Sequence, residues 1–141
     1  MRLVVDASAA LYLALTELGF RGVSDHELVA PPLFWSEMLS GLHQNVWRGD
    51  LSRPLAKRAL DAVMSAPIER QLPDDLAEQA WRVADELGWA KTYDAEYVAL
   101  AQLLGIPLLT RDARLRRGAS RVVQVIGPLE LTPAPPSPVN G

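Results

Sequence analysis

The chain has 141 residues, 14 of them basic and 17 acidic, for a formal net charge of −3; 49 % of it is hydrophobic and 22 % charged. That is the length and balance of one globular domain burying about two thirds of its unfolded surface, and it excludes a mainly disordered chain as well as collagen-like and coiled-coil compositions. The absence of cysteine removes disulfide scaffolds, thiolate zinc sites, iron–sulfur clusters and cysteine nucleophiles together, and the negative balance confines any nucleic-acid contact to a local patch.

Met1-Arg2-Leu3-Val4-Val5-Asp6 meets a carboxylate before reaching the ~7 to 15 apolar residues of a signal peptide. No stretch approaches the ~18 uninterrupted apolar residues of a membrane span, so a cytoplasmic protein without membrane contact is expected. Leu3, Val4 and Val5 read as a strand covered on both faces. Good helix formers from Ala9 to Leu18 follow, stopped by Gly19. After a loop around Ser24, Leu28, Val29 and Ala30 form a weaker strand. Pro31-Pro32 then opens a helix to about Arg48, closed by Gly49. The apolar row Trp35, Met38, Leu39, Leu42 and Val46 marks its expected buried side, leaving Phe34 and Trp47 on an extra apolar face.

Ser52 caps a helix running through Pro54 to about Ser65, with an edge strand over residues 68–71. Asp75 and Glu78 stand at capping-box spacing before a helix that closes at Gly88. Thr92 caps the next, Tyr93–Leu104, which ends at Gly105 before a strand over residues 106–110. A short basic turn from Asp112 to Arg117 leads to a last strand over residues 122–126. Strands alternating with helices imply right-handed crossovers and hence a three-layer α/β/α architecture around a parallel sheet. Residues 1–131 form the expected domain; Pro133, Pro135, Pro136 and Pro138 mark residues 132–141 as a disordered tail. Trp35, Trp47, Trp81 and Trp89 read mostly as core or interface anchors, with base-stacking platforms the minor alternative.

Open parallel sheets bind ligands at the carboxyl ends of their strands. Asp6 directly follows the first strand, Asp112 follows the fourth, and Asp94 opens the helix leading into that fourth strand. Glu37 lies early in the helix after the second strand. Counting by three and four from Asp94 gives Tyr97, Ala101 and Leu104, so its carboxylate is expected to head inward; Glu37, nearly opposite its helix's apolar row, faces a cleft or solvent. Four such carboxylates about 6 Å apart would repel by roughly 2 to 3 kcal/mol per pair at an effective dielectric of ~20. Such a cluster either takes up protons or binds divalent cations, and oxygen-only ligands suit Mg²⁺ or Mn²⁺. The implied reaction is metal-assisted phosphodiester hydrolysis.

In this order, these segments resemble the PIN-domain ribonucleases and, among them, the VapC toxins of toxin–antitoxin pairs. Leu3-Val4-Val5-Asp6-Ala7-Ser8 is similar to the family's first acidic motif and Ser36-Glu37-Met38-Leu39 to its second. Tyr93-Asp94-Ala95-Glu96-Tyr97 resembles the third, and Ile106-Pro107-Leu108-Leu109-Thr110-Arg111-Asp112 the fourth. The resemblance spans nearly the whole expected domain. It implies that Asp6, Glu37, Asp94 and Asp112 are the catalytic metal ligands, with Ser8 and Thr110 in supporting hydrogen bonds. It further implies RNA cleavage with Mg²⁺ or Mn²⁺, a homodimer, and a small VapB-like antitoxin as partner.

Blander readings stand beside these. Asp6 and Asp112 also suit helix N-caps, and Glu37 alone suits a solvated helix face. Arg111, Arg114, Arg116, Arg117 and Arg121 place five basic residues in eleven positions beside Asp112, read equally as solvated surface or as a hold on an RNA backbone. His26 and His43 read as surface residues. A receiver-like phosphoacceptor domain would want adjacent acids after the first strand and a late lysine, and a haloacid-dehalogenase-like phosphatase a second Asp where Ser8 stands. A housekeeping RNA-processing nuclease and a non-catalytic scaffold of the same fold remain the alternatives.

Overall fold

The computed structural model describes residues 1–131; the expected tail at 132–141 lies outside the described residues. The chain runs β1 (Arg2–Val5), α1 (Ala7–Leu15), a 3-10 turn (Gly19–Val23), β2 (Glu27–Ala30), α2 (Leu33–Trp47), α3 (Arg53–Ser65), β3 (Ile68–Arg70), α4 (Leu76–Leu87) and α5 (Tyr93–Leu104). It continues with β4 (Leu108–Leu109), α6 (Ala113–Ala119), β5 (Val125–Ile126) and α7 (Pro128–Leu131). Every strand pair is parallel, in the order β3-β2-β1-β4-β5, so each connection must cross over through a helix. Helices α1, α2 and α3 pack on one another, while α4 packs on α5, and α5 lies against β1 and β4. The expected three layers are present.

From β1 the chain steps outward through β2 and β3, then returns to the opposite flank of β1 at β4. The direction of winding therefore reverses between β1 and β4, which opens a crevice at the carboxyl ends of those two strands. Register fixes the crevice: Val4 sits beside Val29 on one side and Leu108 on the other, and Val5 beside Leu109. Leu3, Val4, Val5, Val29, Leu108 and Leu109 are fully buried, as strands with helices on both faces require.

Several boundaries differ from the sequence-based expectation for local reasons. Helix α1 stops at Leu15 rather than near Leu18, because Thr16 turns extended and its hydroxyl donates to the Leu13 carbonyl (2.7 Å). The supposed basic turn after Asp112 is helix α6, since Asp112 accepts from the amides of Arg114 (2.9 Å) and Leu115 (3.2 Å) and nucleates it. The last two strands shrink to two residues each, and α7 was not anticipated. Helices α4 and α5 begin where expected, at Asp75 and Thr92, but neither side chain makes a capping bond; Glu78 instead pairs with Arg82 at 2.7 Å. Both helices end on a glycine in the left-handed region, Gly88 (φ 72) and Gly105 (φ 66).

The buried row of α2 is also rotated from the expected one. Phe34, Met38 and Leu42 are buried, Trp35 is half-buried edge-on to Phe34, and Leu39 is 54 % exposed. Apolar residues at i and i+4 occur on both rows, so spacing alone does not set the azimuth. Trp47 and Trp81 are exposed, at 83 % and 67 %, and do not belong to the core. Among the described residues, no helix is long and apolar enough to cross a membrane.

Candidate active site

The crevice between β1 and β4 is organised by Asp6. Its amide donates to the Leu109 carbonyl (3.1 Å), which ties the end of β1 to the end of β4. Its side chain is 4 % exposed, and one carboxylate oxygen accepts from the Ala9 amide (2.9 Å) and the Ser8 hydroxyl (2.8 Å). The other accepts from the buried hydroxyl of Thr110. Ser8 also contacts the Thr110 hydroxyl (3.2 Å) and accepts the Arg111 amide (3.0 Å), while Thr110 accepts the Asp112 amide (3.0 Å). Ser8 and Thr110 thus stitch the Asp6 turn to the Asp112 turn. Replacing Thr110 by valine, similar in shape, removes one of these donors from a buried carboxylate, and urea denaturation is expected to show a loss of about 1 to 3 kcal/mol. An unchanged midpoint would rule out that supporting role.

The other three acids line one cleft of about 590 Å³, together with Trp89, Lys91, Tyr93 and Arg114. Glu37 reaches it from α2, Asp94 from the start of α5 and Asp112 from the start of α6. Glu37 falls three residues after buried Phe34, at the border of the buried row, and is half-buried. It accepts a 2.5 Å hydrogen bond from the Tyr97 hydroxyl, so a side chain of α5 fixes a side chain of α2 across the crevice. Asp94 does not head into the core as expected. Helix α5 is buried around most of its circumference, from Ala95 and Tyr97 through Ala101, so its apolar pattern carries no direction; Asp94, at its exposed first turn, opens on the cleft.

Electrostatics tie these groups together. Burial raises the Asp6 pKa from its ordinary value, against its three hydrogen bonds and with help from the charge of Asp112. Glu37 is raised first by burial, against the Tyr97 hydrogen bond, and then by Asp94, Asp6 and Glu96. Asp94 is solvent-exposed as a residue, yet its carboxyl end lies between the cleft walls; that desolvation raises it, Asp112 adds to the rise and Arg114 opposes it. Burial raises Glu96. Tyr97 is pushed far up by burial and by Glu37, so it remains a hydrogen-bond donor at any ordinary pH.

The donor set suits a hard dication. Glu37 uses one carboxylate oxygen for Tyr97 and Asp112 one for the α6 amides, which leaves the second oxygen of each, and both of Asp94, without a hydrogen bond among the described residues. All of these are oxygen ligands, and Mg²⁺ or Mn²⁺ completes its shell with water and phosphate oxygens. Among the described residues no three such side chains are already arranged as a group that could hold a metal ion. The like charges stand along one cleft rather than collapsed on one point.

The arginines divide. Arg114 lines the cleft, and Arg117 and Arg121 are exposed. Arg111 lies over the Tyr12 ring at 4.4 Å, and Arg116 pairs with Glu130 at 2.5 Å, so both of these candidate RNA-binding groups have partners within the chain. The residues missed from sequence were Tyr97 as the donor to Glu37, and the far wall of the cleft. A buried tyrosine hydroxyl demands a partner, which was the available signal. Trp89 had none: its ring rests so close to Gly118 that a Cβ there would come within 2.8 Å.

Known proteins similar to this chain identify its family. A family model described as PIN domain matches residues 3–120. VapC ribonuclease Mb0985 of Mycobacterium bovis is 37 % identical over 114 residues, covering 80 % of this chain and 87 % of that protein. Ribonuclease VapC1 of Mycobacterium tuberculosis is 37 % identical over 120 residues, with 79 % and 86 % covered. Among solved structures, PAE2754 from Pyrobaculum aerophilum superposes with a TM-score of 0.71 at 29 % identity, covering 90 % of this chain and 89 % of its own. VapBC2 from Rickettsia felis, bound to a DNA fragment from their promoter, shares the fold at a TM-score of 0.62 and 12 % identity, covering 90 % and 98 %. With a parallel sheet whose order reverses at an acidic crevice, and relatives matched over most of both chains, this protein belongs to the PIN-domain family and within it to the VapC ribonucleases.

Proposed function

We propose that the protein is a divalent-metal-dependent endoribonuclease and the toxin of a toxin–antitoxin pair, with its activity carried by residues 1–131. The observation that carries this reading is that Glu37, Asp94 and Asp112, from three separate elements, line one cleft at the topological reversal, with Asp6 buried behind them. These four residues would hold Mg²⁺ or Mn²⁺, with Ser8 and Thr110 holding Asp6. A cation there supplies charge stabilisation at the attacked phosphate and activates water for its hydrolysis.

The chain's own contributions follow from the geometry. Tyr97 holds the Glu37 carboxylate in place. Arg114, facing Asp94 at the cleft, offsets the repulsion between an RNA backbone and the acidic wall, and Arg117 extends the basic rim. Arg111 and Arg116 have weaker claims as RNA contacts, being engaged by Tyr12 and Glu130. The VapC names of the relatives and the VapBC2 neighbour support a VapB-like antitoxin as partner; a homodimer in the cytoplasm is part of the same proposal.

The test is cleavage of unstructured RNA by the purified protein. Cleavage is expected with Mg²⁺ or Mn²⁺, to cease with EDTA, and to return when Mn²⁺ is restored. Activity that survives thorough chelation would sink the metal mechanism. RNA binding without cleavage under any divalent ion would favour a non-catalytic scaffold of the same fold.

A further inference from the structure

We propose that Tyr93 is a base-stacking platform that selects single-stranded RNA at this cleft; the proposal rests on the ribonuclease reading above. Tyr93 is the first residue of α5 and is 59 % exposed. It lines the cleft together with Glu37, Asp94 and Asp112. Among the described residues it makes no hydrogen bond and no ring contact, so its face is unclaimed. The ring is thus an apolar face presented to solvent beside the carboxylates, in a cleft lined by charged and apolar side chains alike. Tyr97, one turn on, offers a contrast: it is 1 % exposed and its hydroxyl is committed to Glu37.

The surroundings fit one nucleotide of a single strand. Lys91 and Arg114 line the same cleft, so cationic groups for the backbone stand in it with the ring. Asp94 follows Tyr93 directly, so a nucleotide whose base covers the ring carries its phosphate beside the carboxylates. Trp89, also in the lining, fits closely against Gly118, where a Cβ would come within 2.8 Å of its ring. Bases in a duplex are already stacked on one another and offer no free face, whereas an unpaired base does; stacking also tolerates any base. Tyr93 therefore discriminates strandedness rather than sequence. Trp47 and Trp81 are as exposed, but neither lines the cleft.

The experiment measures binding of a short labelled, unstructured RNA by fluorescence anisotropy in EDTA, alongside cleavage kinetics in Mn²⁺. Tyr93→Ala is expected to weaken single-strand binding about tenfold, with the loss in cleavage falling on KM rather than kcat. Tyr93→Phe and Tyr93→Trp should restore affinity, and Tyr93→Leu, apolar but without a π face, should not. The same RNA annealed to its complement should bind more weakly and without dependence on Tyr93. Single-strand affinity within twofold of wild type in Tyr93→Ala, or Tyr93→Leu binding as well as Tyr93→Phe, would overturn the proposal. Tyr93-dependent binding by a protein that cleaves no RNA would support the platform while rejecting the ribonuclease reading, so the two fail separately.

Discussion

Asp94→Asn is expected to lower RNA cleavage by about a thousandfold or more while leaving the fold intact. The size follows from losing one anionic oxygen donor to a cation that contributes several kcal/mol of transition-state stabilisation, at about 1.4 kcal/mol per factor of ten. The clean separation follows from where Asp94 sits. It is exposed at the first turn of α5, and makes no hydrogen bond among the described residues. Asparagine removes the charge that Asp112 opposes, so the melting temperature should hold or rise. Asp6 would give a muddier result: it is buried, accepts three hydrogen bonds and caps α1, so Asp6→Asn disturbs stability and activity together. Glu37→Gln is intermediate, since the Tyr97 hydroxyl still has an amide oxygen to donate to. Steady-state cleavage paired with thermal melting checks the contrast. A fully active Asp94→Asn protein would remove Asp94 from the mechanism.

How far the sequence reached depended on whether a residue's position follows from its own strand or from its neighbours' packing. Asp6 and Asp112 were legible because each ends a short apolar run, and a strand's carboxyl end is fixed by chain direction alone. The three layers were legible for the same reason, through the alternation of strands and helices. Azimuths on helices were not. On α2, apolar residues occupy both the Phe34 row and the Trp35 row, and only tertiary packing chooses between them. On α5, burial on nearly every side erased the amphipathic signal from which the direction of Asp94 was inferred. Partners within the chain were equally hidden: nothing in the basic run shows that Arg111 covers Tyr12 or that Arg116 reaches Glu130 in a helix the sequence did not announce.

The second large effect is a pH-dependent stabilisation by metal. Asp6, Glu37, Asp94 and Glu96 all have pKa values raised above their ordinary 3.8 or 4.5 in the folded protein, with burial the leading cause in each. A folded state that binds protons more readily than the unfolded chain is favoured as pH falls. The stability these groups contribute is fully present below their ordinary values and is lost as pH rises through the raised folded ones. Metal-free protein should therefore melt at a higher temperature as pH is lowered from 7 toward the ordinary carboxylate values. Glu130 works in the opposite direction, held low by Arg116, but that pair is solvent-exposed and weighs little. A dication relieves the same repulsion without protons. At a concentration 100 times its dissociation constant it adds about 2.7 kcal/mol, or roughly 8 to 13 °C for a domain of this size. Mn²⁺ should thus raise the midpoint more at pH 7 than at acidic pH, where protons compete for the same carboxylates. Asp94→Asn should shrink the pH 7 shift, because one ligand is gone. Calorimetry across pH with and without Mn²⁺ distinguishes this from general salt screening, which Na⁺ at matched ionic strength would reproduce. A metal-free protein that loses stability steadily from pH 7 to pH 5 would contradict the electrostatic account of the cleft.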